Sequence, residues 1–214
     1  MRLSFEKLPP EKQASILAAG IREFANKPYA DASTDTITAN CAISKGLLFH
    51  YFGSKREFYL YCLSKSLERL MTKTADLSGA GFYDTLFSAM DNKFRLCMEY
   101  PDEMHLINMS SREGAAEVFV EKSNVLKAYV QFAHMDSMRI MQGAISALSL
   151  RALPESLVLE GFSLYFNAIL NKYLSAYQEN PDEFFKCIES IKTEMREYLD
   201  LILYGVCKEV HHEE

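Results

Sequence analysis

The sequence contains no tryptophan, only nine glycines and six prolines among 214 residues, and no long apolar run. So few turn-forming residues, together with 49% hydrophobic residues, are typical of a globular chain that is mostly helical. No stretch approaches the roughly 20 apolar residues that span a bilayer, and residues 1–20 lack the pattern of a signal peptide. We therefore expect a cytoplasmic protein without a membrane partner.

Cysteine is scarce, and its positions are scattered. The five cysteines are Cys41, Cys62, Cys97, Cys187 and Cys207, without CxxC spacing. An odd number at such spacing predicts neither a disulfide framework nor a zinc site, and small buried apolar residues are the expected role. The motifs HExxH, P-loop, GxGxxG and GxSxG are also missing, which disfavours an all-α enzyme. We expect no enzymatic activity, no cofactor and no metal.

Charge is distributed unevenly along the chain. The net charge is −6, but residues 1–65 carry nine Lys or Arg against six Asp or Glu, a net of +3, and the remainder carries −9. This asymmetry is compatible with a nucleic-acid contact confined to the N-terminal part. Solvated helix faces can produce the same imbalance.

Helical periodicity runs through the whole chain, and no sustained period-two alternation predicts a strand. A first helix is expected from Pro9-Pro10 to Lys27, where Pro28 ends it. The run Ser54-Lys55-Arg56-Glu57 has the form of a capping box and predicts another helix reaching about Lys73. Later breaks are expected at Pro101, near Gly114, at Pro154 and at Asn180-Pro181 with Asn180 as the N-cap.

Residues 34–51 predict a short helix, a turn and a second short helix. Thr34 is the expected N-cap of the first, and Ser44 that of the second. This arrangement is typical of a helix-turn-helix whose second helix enters the major groove of DNA. Two helices that merely pack together, with Lys45 on a solvated face, are the alternative.

One run of residues carries a family resemblance. The pattern is Ile16-Leu17-Ala18-Ala19, Phe24, Ile37 and the continuous stretch Ile43-Ser44-Lys45-Gly46-Leu47-Leu48-Phe49-His50-Tyr51-Phe52-Gly53-Ser54-Lys55. It resembles the DNA-binding domain of TetR-family transcriptional regulators. Ala42 departs from the pattern, because the turn position is often glycine in that family.

The resemblance implies specific DNA contacts. Thr34 would bind phosphate, and His50, Tyr51 and Lys55 would clamp phosphates. Ser44, Lys45, Gly46 and Leu47 would approach bases or backbone. It also implies an all-α fold, with an N-terminal three-helix helix-turn-helix domain at residues 9–68 (helix-turn-helix about 31–52). A larger C-terminal helical domain, 69–214, would sense ligand and form a dimeric four-helix bundle.

Apolar seams in the C-terminal part favour a homodimer. The expected interface consists of Leu157, Gly161, Leu164, Ile188, Ile191, Met195, Tyr198 and Ile202, which recur at spacings of three or four residues. The alternative is that both apolar faces are buried within one chain. A two-fold protein would read an inverted-repeat operator in double-stranded DNA.

Methionine and aromatic residues are concentrated in the middle of the chain. A hydrophobic pocket is one interpretation, with Phe94, Met98, Met109, Phe132, Met135, Phe162 and Phe166 as its candidate lining. Ordinary core packing is the other. The resemblance favours a small-molecule effector whose binding moves the helix after residue 55 and releases a repressor from its operator. A DNA-binding or protein-interaction module of the same fold without a ligand is the rival function.

Overall fold

The computed structural model describes residues 2–71, 81–177 and 181–205, and every regular element within them is an α-helix. The helices are α1 Arg2–Phe5, α2 Pro10–Asn26, α3 Thr34–Asn40, α4 Lys45–Phe52, α5 Lys55–Leu70, α6 Phe82–Glu99, α7 Pro101–Arg112, α8 Phe119–Ile145, α9 Glu155–Ala176, α10 Pro181–Lys186 and α11 Ile188–Tyr204. The all-α prediction is confirmed. Helix α1 was not expected, because four residues are too few to show a period.

Serine side chains begin three of the N-terminal helices. Ser44 accepts a hydrogen bond from the Leu47 amide at the start of α4, and Ser54 accepts one from the Glu57 amide at the start of α5. Both caps agree with prediction. The cap of α3 was predicted one residue too late: Ser33 accepts from the Thr36 amide, and Thr34 is already helical.

Proline marks the later helix starts as expected. Pro101 opens α7, Pro154 precedes α9 and Pro181 opens α10. The predicted N-cap Asn180 lies outside the described residues. The expected interface residues from Ile188 to Ile202 all lie in α11, and Cys187 separates α11 from the short helix α10.

The described residues form two compact units. The first takes in residues 1–73 and 95–135, and its core includes Ile16, Phe24, Ile37, Leu48 and Phe58. Helix α7 packs against α2 and α5 in this unit. The first unit therefore contains the predicted 9–68 domain together with a stretch that the sequence assigned to the C-terminal part.

The second unit takes in residues 74–94 and 136–214. Its core has Phe82, Leu86, Phe162, Met195 and Leu199 among its buried residues, and α11 packs against α9. The cysteines follow the expected role in part: Cys41 and Cys62 are buried, and Cys97 and Cys187 are half-buried. Cys207 lies outside the described residues.

Candidate DNA-binding surface

One face of helix α4 packs into the core of the first unit, and the opposite face is exposed to solvent. Leu48, Tyr51 and Phe52 are its buried residues. The open face carries Lys45, Gly46, Leu47 and His50, all exposed. A short helix fixed by three apolar side chains can present its opposite face to a ligand without rearrangement, which is what groove insertion requires.

The first turn of α4 combines a cap with a bare backbone position. The Ser44 Oγ accepts a hydrogen bond from the Leu47 amide at 3.1 Å. A Cβ placed on Gly46 would meet only the Ser44 Oγ, at 4.0 Å, so the space beside this backbone is open. Another molecule can approach the backbone closely here, as the sequence suggested.

The turn between α3 and α4 is strained at one residue and fastened by another. Ala42 has φ 50°, a left-handed conformation that is unfavourable for an L-residue with a Cβ. Lys12 of α2 donates from its Nζ to the Cys41 carbonyl oxygen at 2.8 Å. Sequence reasoning did not identify Lys12, since nothing in its spacing links it to residues 29 positions later.

An ion pair lies on the exposed surface of the helix-turn-helix. The Lys45 Nζ is 2.9 Å from Asp35 Oδ2, and both side chains are largely exposed. The carboxylate neutralises part of the positive charge that the sequence assigned to Lys45. Lys45 is therefore held towards α3 when no other anion is present.

Lys55, at the start of α5, already has protein partners. Its Nζ donates to the Ala30 carbonyl at 3.2 Å and lies 4.7 Å from the centre of the Tyr29 ring. Its neighbour Arg56 pairs with Glu57 and with Glu121, each at 3.3 Å. A phosphate at this helix start would have to compete with these contacts.

Two predicted contact residues are buried rather than exposed. Tyr51 is 7% exposed and Thr34 is 8% exposed. Tyr51 follows Leu48 by three residues and so lies on the same helix face, and its ring packs edge-on against that of Phe5, with 5.9 Å between the ring centres. The expectation that Tyr51 projects outward is corrected: its spacing from Leu48 is the signal that could have shown this.

Carboxylates of the segment after α7 hold the loop before α3. Glu113 accepts hydrogen bonds from the Tyr29 amide at 2.7 Å and the Ala115 amide at 2.8 Å. The Tyr29 hydroxyl donates to Glu117 at 3.0 Å. Burial raises the pKa of Glu113, but the hydrogen bonds from backbone amides lower it by a larger amount, so its pKa lies below the ordinary value.

Further polar contacts join α7 to α2 and α5. The Tyr59 hydroxyl donates to Ser110 Oγ at 2.8 Å in the interior, and burial raises the pKa of Tyr59 to about 12. Arg69 pairs with the buried Glu103, and Arg22 pairs with Asp102 at 3.2 Å. Residues 80 positions away in sequence therefore help to position the helix-turn-helix.

Inside the helix-turn-helix unit, Glu23 fixes the entry to α3. Its carboxylate accepts from the Ser33 amide at 2.9 Å and from Lys27 at 2.8 Å, although the side chain is buried. Burial raises the pKa of Glu23, and the hydrogen bonds from Lys27 and Ser33 outweigh it, so the pKa is lowered overall. Glu23 is ionised at neutral pH and orients the residue that caps α3.

The predicted pocket residues do not come together as one lining. Phe162 and Phe166 are buried in the second unit, where Phe94 also lies half-buried. Met98 and Met135 are 63% and 71% exposed, and Met109 and Phe132 are half-buried in the first unit. Methionine and aromatic content alone does not show which helix face a residue occupies, so the predicted lining is wrong for Met98 and Met135.

The predicted interface residues divide by helix. On α9, Leu157 and Leu164 are 60% and 65% exposed, and Gly161 lies exposed between them with open space at its Cα. On α11, Ile191 and Met195 are buried in the core of their own unit, and Ile188 and Tyr198 are half-buried. Ile202 is exposed. The expectation that Ile191 and Met195 face a partner is corrected, because their seam packs against α9 of the same chain.

Two other kinds of site are absent from the described ranges. No helix there has both the length and the apolar character needed to cross a membrane. Within the same ranges, no three His, Cys, Asp or Glu side chains are grouped so that they could hold a metal ion.

Comparison with known proteins adds a family match. The model for bacterial regulatory proteins of the tetR family matches residues 16–62, which run from α2 to the middle of α5. A protein of Bacillus subtilis strain 168, named an uncharacterized HTH-type transcriptional regulator YerO, is 24% identical over 139 residues, covering 63% of this chain and 46% of that protein. The HTH-type transcriptional activator FasR of Mycolicibacterium smegmatis is 29% identical over 86 residues, covering 40% of this chain and 36% of FasR.

The matched stretches therefore span less than half the length of these relatives. Among solved structures, a TetR family transcriptional regulator from Chloroflexus aurantiacus J-10-FL has a TM-score of 0.58 at 18% identity. The superposition covers 95% of this chain and 96% of that one. At this identity the similarity shows a shared fold.

Proposed function

Because the chain belongs to the TetR family of bacterial regulatory proteins, we propose that it binds double-stranded DNA sequence-specifically and regulates transcription. One observation carries the proposal: α4 buries Leu48, Tyr51 and Phe52 and exposes Lys45, Gly46 and Leu47 on the opposite side. A helix of this length, anchored on one side and bare on the other, fits the major groove. The family is one of regulators and not of enzymes.

In the proposed complex, the exposed start of α4 lies against base edges, and His50 faces the sugar-phosphate backbone of the DNA. Lys45 leaves Asp35 and donates to a guanine edge or to a phosphate, where the negative charge of the duplex offsets the loss of the Asp35 contact. Gly46 lets the backbone approach the DNA. Lys55 supplies phosphate charge, whereas Thr34 and Tyr51, which are buried, offer little surface to DNA.

The proposed active form is a homodimer assembled through α9 and the end of α11. Leu157, Gly161 and Leu164 form an exposed apolar stripe on α9, and Ile202 adds an exposed apolar residue on α11. Exposed leucines in such a row are costly in water and mark an interface. Two chains related by a two-fold axis would place two α4 helices in successive major grooves, about 34 Å apart, on an inverted repeat.

We further propose repression that a small, largely apolar effector relieves. Occupancy alone accounts for repression, because a bound dimer blocks access to a promoter, whereas activation needs an added contact with polymerase. The effector would favour a state whose α4 helices no longer fit the operator. A full switch needs a preference of about 5.5 kcal/mol between the two states.

Selection of bound duplexes from random DNA tests the proposal. The intact protein should enrich an inverted repeat and bind it with an affinity that falls steeply with salt. Lys45→Ala should relax the sequence preference or weaken binding, whereas Lys55→Ala should weaken binding to all sequences alike. Absence of salt-dependent affinity for any duplex would rule the proposal out.

A further inference from the structure

A cavity of about 90 Å³ lies inside the second unit, between the helices α6, α8 and α9. Its wall is apolar on three sides, with Leu86 and Met90 from α6, Met141 from α8 and Phe166 from α9. Of the residues that the sequence suggested for a pocket, only Phe166 lies here. The walls exclude a fully hydrated ligand and favour a hydrocarbon portion.

A positively charged side chain, that of Lys93, lies at the edge of this cavity. Lys93 belongs to the lining, and its side chain is 48% exposed, so this edge reaches solvent. Its Nζ is 3.8 Å from Asp136 Oδ2, a separation at which the two groups attract without a hydrogen bond. Within residues 2–71, 81–177 and 181–205, the Lys93 ammonium has no hydrogen-bond acceptor.

The buried Asp136 does not depend on Lys93. Arg139 Nη2 donates to Asp136 Oδ1 at 3.0 Å, and Arg139 Nε lies 3.3 Å from the same oxygen. Because Arg139 already balances the Asp136 carboxylate, Lys93 leaves one positive charge uncompensated beside an apolar cavity. An anionic group placed there would gain charge-assisted hydrogen bonds without taking a partner from another residue.

We infer that this cavity binds an aliphatic monocarboxylate, with the tail among the apolar walls and the carboxylate on Lys93. A single ammonium matches a single negative charge, and Ser137 in the lining offers a hydroxyl to the second carboxylate oxygen. A phosphate dianion would require more positive charge than the cavity supplies. A neutral hydrocarbon would leave the ammonium unused.

The size of the cavity limits the tail. A cavity of about 150 Å³ accommodates the six carbons of benzene in a protein interior, so this smaller space fits a tail of about three to five carbons, with the carboxyl end outside the walls. Met90 and Met141 adapt their shape to a flexible chain. This inference names the effector class for the proposed regulator, but binding to the protein is a separate property from DNA recognition.

Calorimetric titration of the full chain with hexanoate, without DNA, tests the inference. We expect saturable binding of one hexanoate per chain, and no binding of 1-hexanol at the same concentrations. Lys93→Met keeps the length of the side chain and removes its charge, and it should weaken hexanoate binding at least about tenfold. Lys186→Met, an exposed lysine in the same unit, is the matched control and should bind as the unaltered protein does.

A second variant keeps the test decisive if Lys93→Met affects folding. Ala89→Leu fills the lining from α6 and should abolish binding while helicity is retained. Hexanoate that fails to bind the intact chain, or that binds Lys93→Met unchanged, overturns the inference. A chain that binds hexanoate but no duplex would refute the proposed function alone, and one that binds duplexes but no hexanoate would refute this inference alone.

Discussion

Asp35 of α3 and Lys45 of α4 form an ion pair of 2.9 Å on the surface that we assign to DNA. The Asp35 carboxylate repels phosphates, and it holds the Lys45 ammonium in an ion pair until DNA supplies another acceptor. It therefore lowers affinity for random DNA more than affinity for a sequence that satisfies Lys45. This makes Asp35 a residue that sets sequence preference.

Asp35→Asn is expected to raise affinity for random duplexes about three- to tenfold and to steepen the salt dependence by about one ion, because Lys45 becomes free to contact phosphate. The ratio of specific to random affinity should fall. Fluorescence anisotropy over a potassium chloride series measures both. Asp84→Asn, which changes the charge equally in the other unit, should leave both quantities unchanged.

Ala42→Gly should stabilise the protein. Its φ of 50° costs an alanine about 1 kcal/mol relative to glycine, so relief of that strain should raise the free energy of unfolding by about 0.5 to 1 kcal/mol. Ala39→Gly, on the exposed side of α3 with ordinary helical geometry, should lower it by about 1 kcal/mol. Urea denaturation measures the change in the free energy of unfolding for each variant. Changes of the same sign would contradict the assignment of strain to Ala42.

Gly20→Ala should destabilise the first unit although alanine favours helices. A Cβ at Gly20 would lie 2.5 Å from the Phe58 Cζ and 2.8 Å from the Cys62 Sγ, so α2 and α5 would be forced apart. We expect a loss of about 1 to 3 kcal/mol in the free energy of unfolding. Gly143→Ala, whose Cβ would make an ordinary contact with Thr85 at 3.9 Å, should instead be neutral or stabilising.

Glu23→Gln should lower stability at pH 7 by about 1 to 2 kcal/mol, because the amide replaces a charged acceptor for Ser33 and Lys27. Because the pKa of Glu23 is lowered in the folded protein, its ionised carboxylate adds to the free energy of unfolding. This stabilisation is complete above the pKa that Glu23 has in the unfolded chain. It disappears as the pH falls through the pKa that Glu23 has in the folded protein. The difference between variant and unaltered protein should therefore shrink in acid. Urea denaturation at a series of pH values measures it, with the exposed Glu197→Gln as a control that shows no such trend.

Leu164→Arg should yield a folded monomer with weak operator affinity. Leu164 is 65% exposed in the single chain, so the change costs little in the fold but places a charge in the proposed interface. Sedimentation velocity and thermal melting separate the two effects. Met98→Arg, at a similarly exposed position in the other unit, should leave the oligomeric state unaltered, and a monomer before mutation would exclude the dimer.

Sequence reasoning predicted the helices where short-range chemistry decides them. Ser44, Ser54, Pro101 and Pro154 act on residues within one turn, and the structure places helix starts beside each. The family resemblance also implied that Lys45 and Gly46 approach DNA, and both are exposed on α4. The choice between Ser33 and Thr34 as cap depends on a single residue of register, which two adjacent hydroxyl side chains leave open.

The partners that lie far apart in sequence could not be predicted. Lys12 reaches the Cys41 carbonyl and Glu113 reaches the Tyr29 amide only because the packing of α2, α5 and α7 brings them together. Tyr51 differs from these cases, because its spacing of three residues from the apolar Leu48 does indicate an inward side chain, and its ring packs against Phe5. The cavity at Lys93 needs three helices in register, which no local pattern encodes.

The packing of α7 on α2 and α5 also has a consequence for biosynthesis. A ribosome completes α5 about forty residues before it completes α7, an interval of about 2 to 8 s at ordinary elongation rates. During that interval the faces of α2 and α5 that α7 covers remain open to chaperones and to other nascent chains. Translation speed across residues 71–112 should therefore influence the yield of soluble protein.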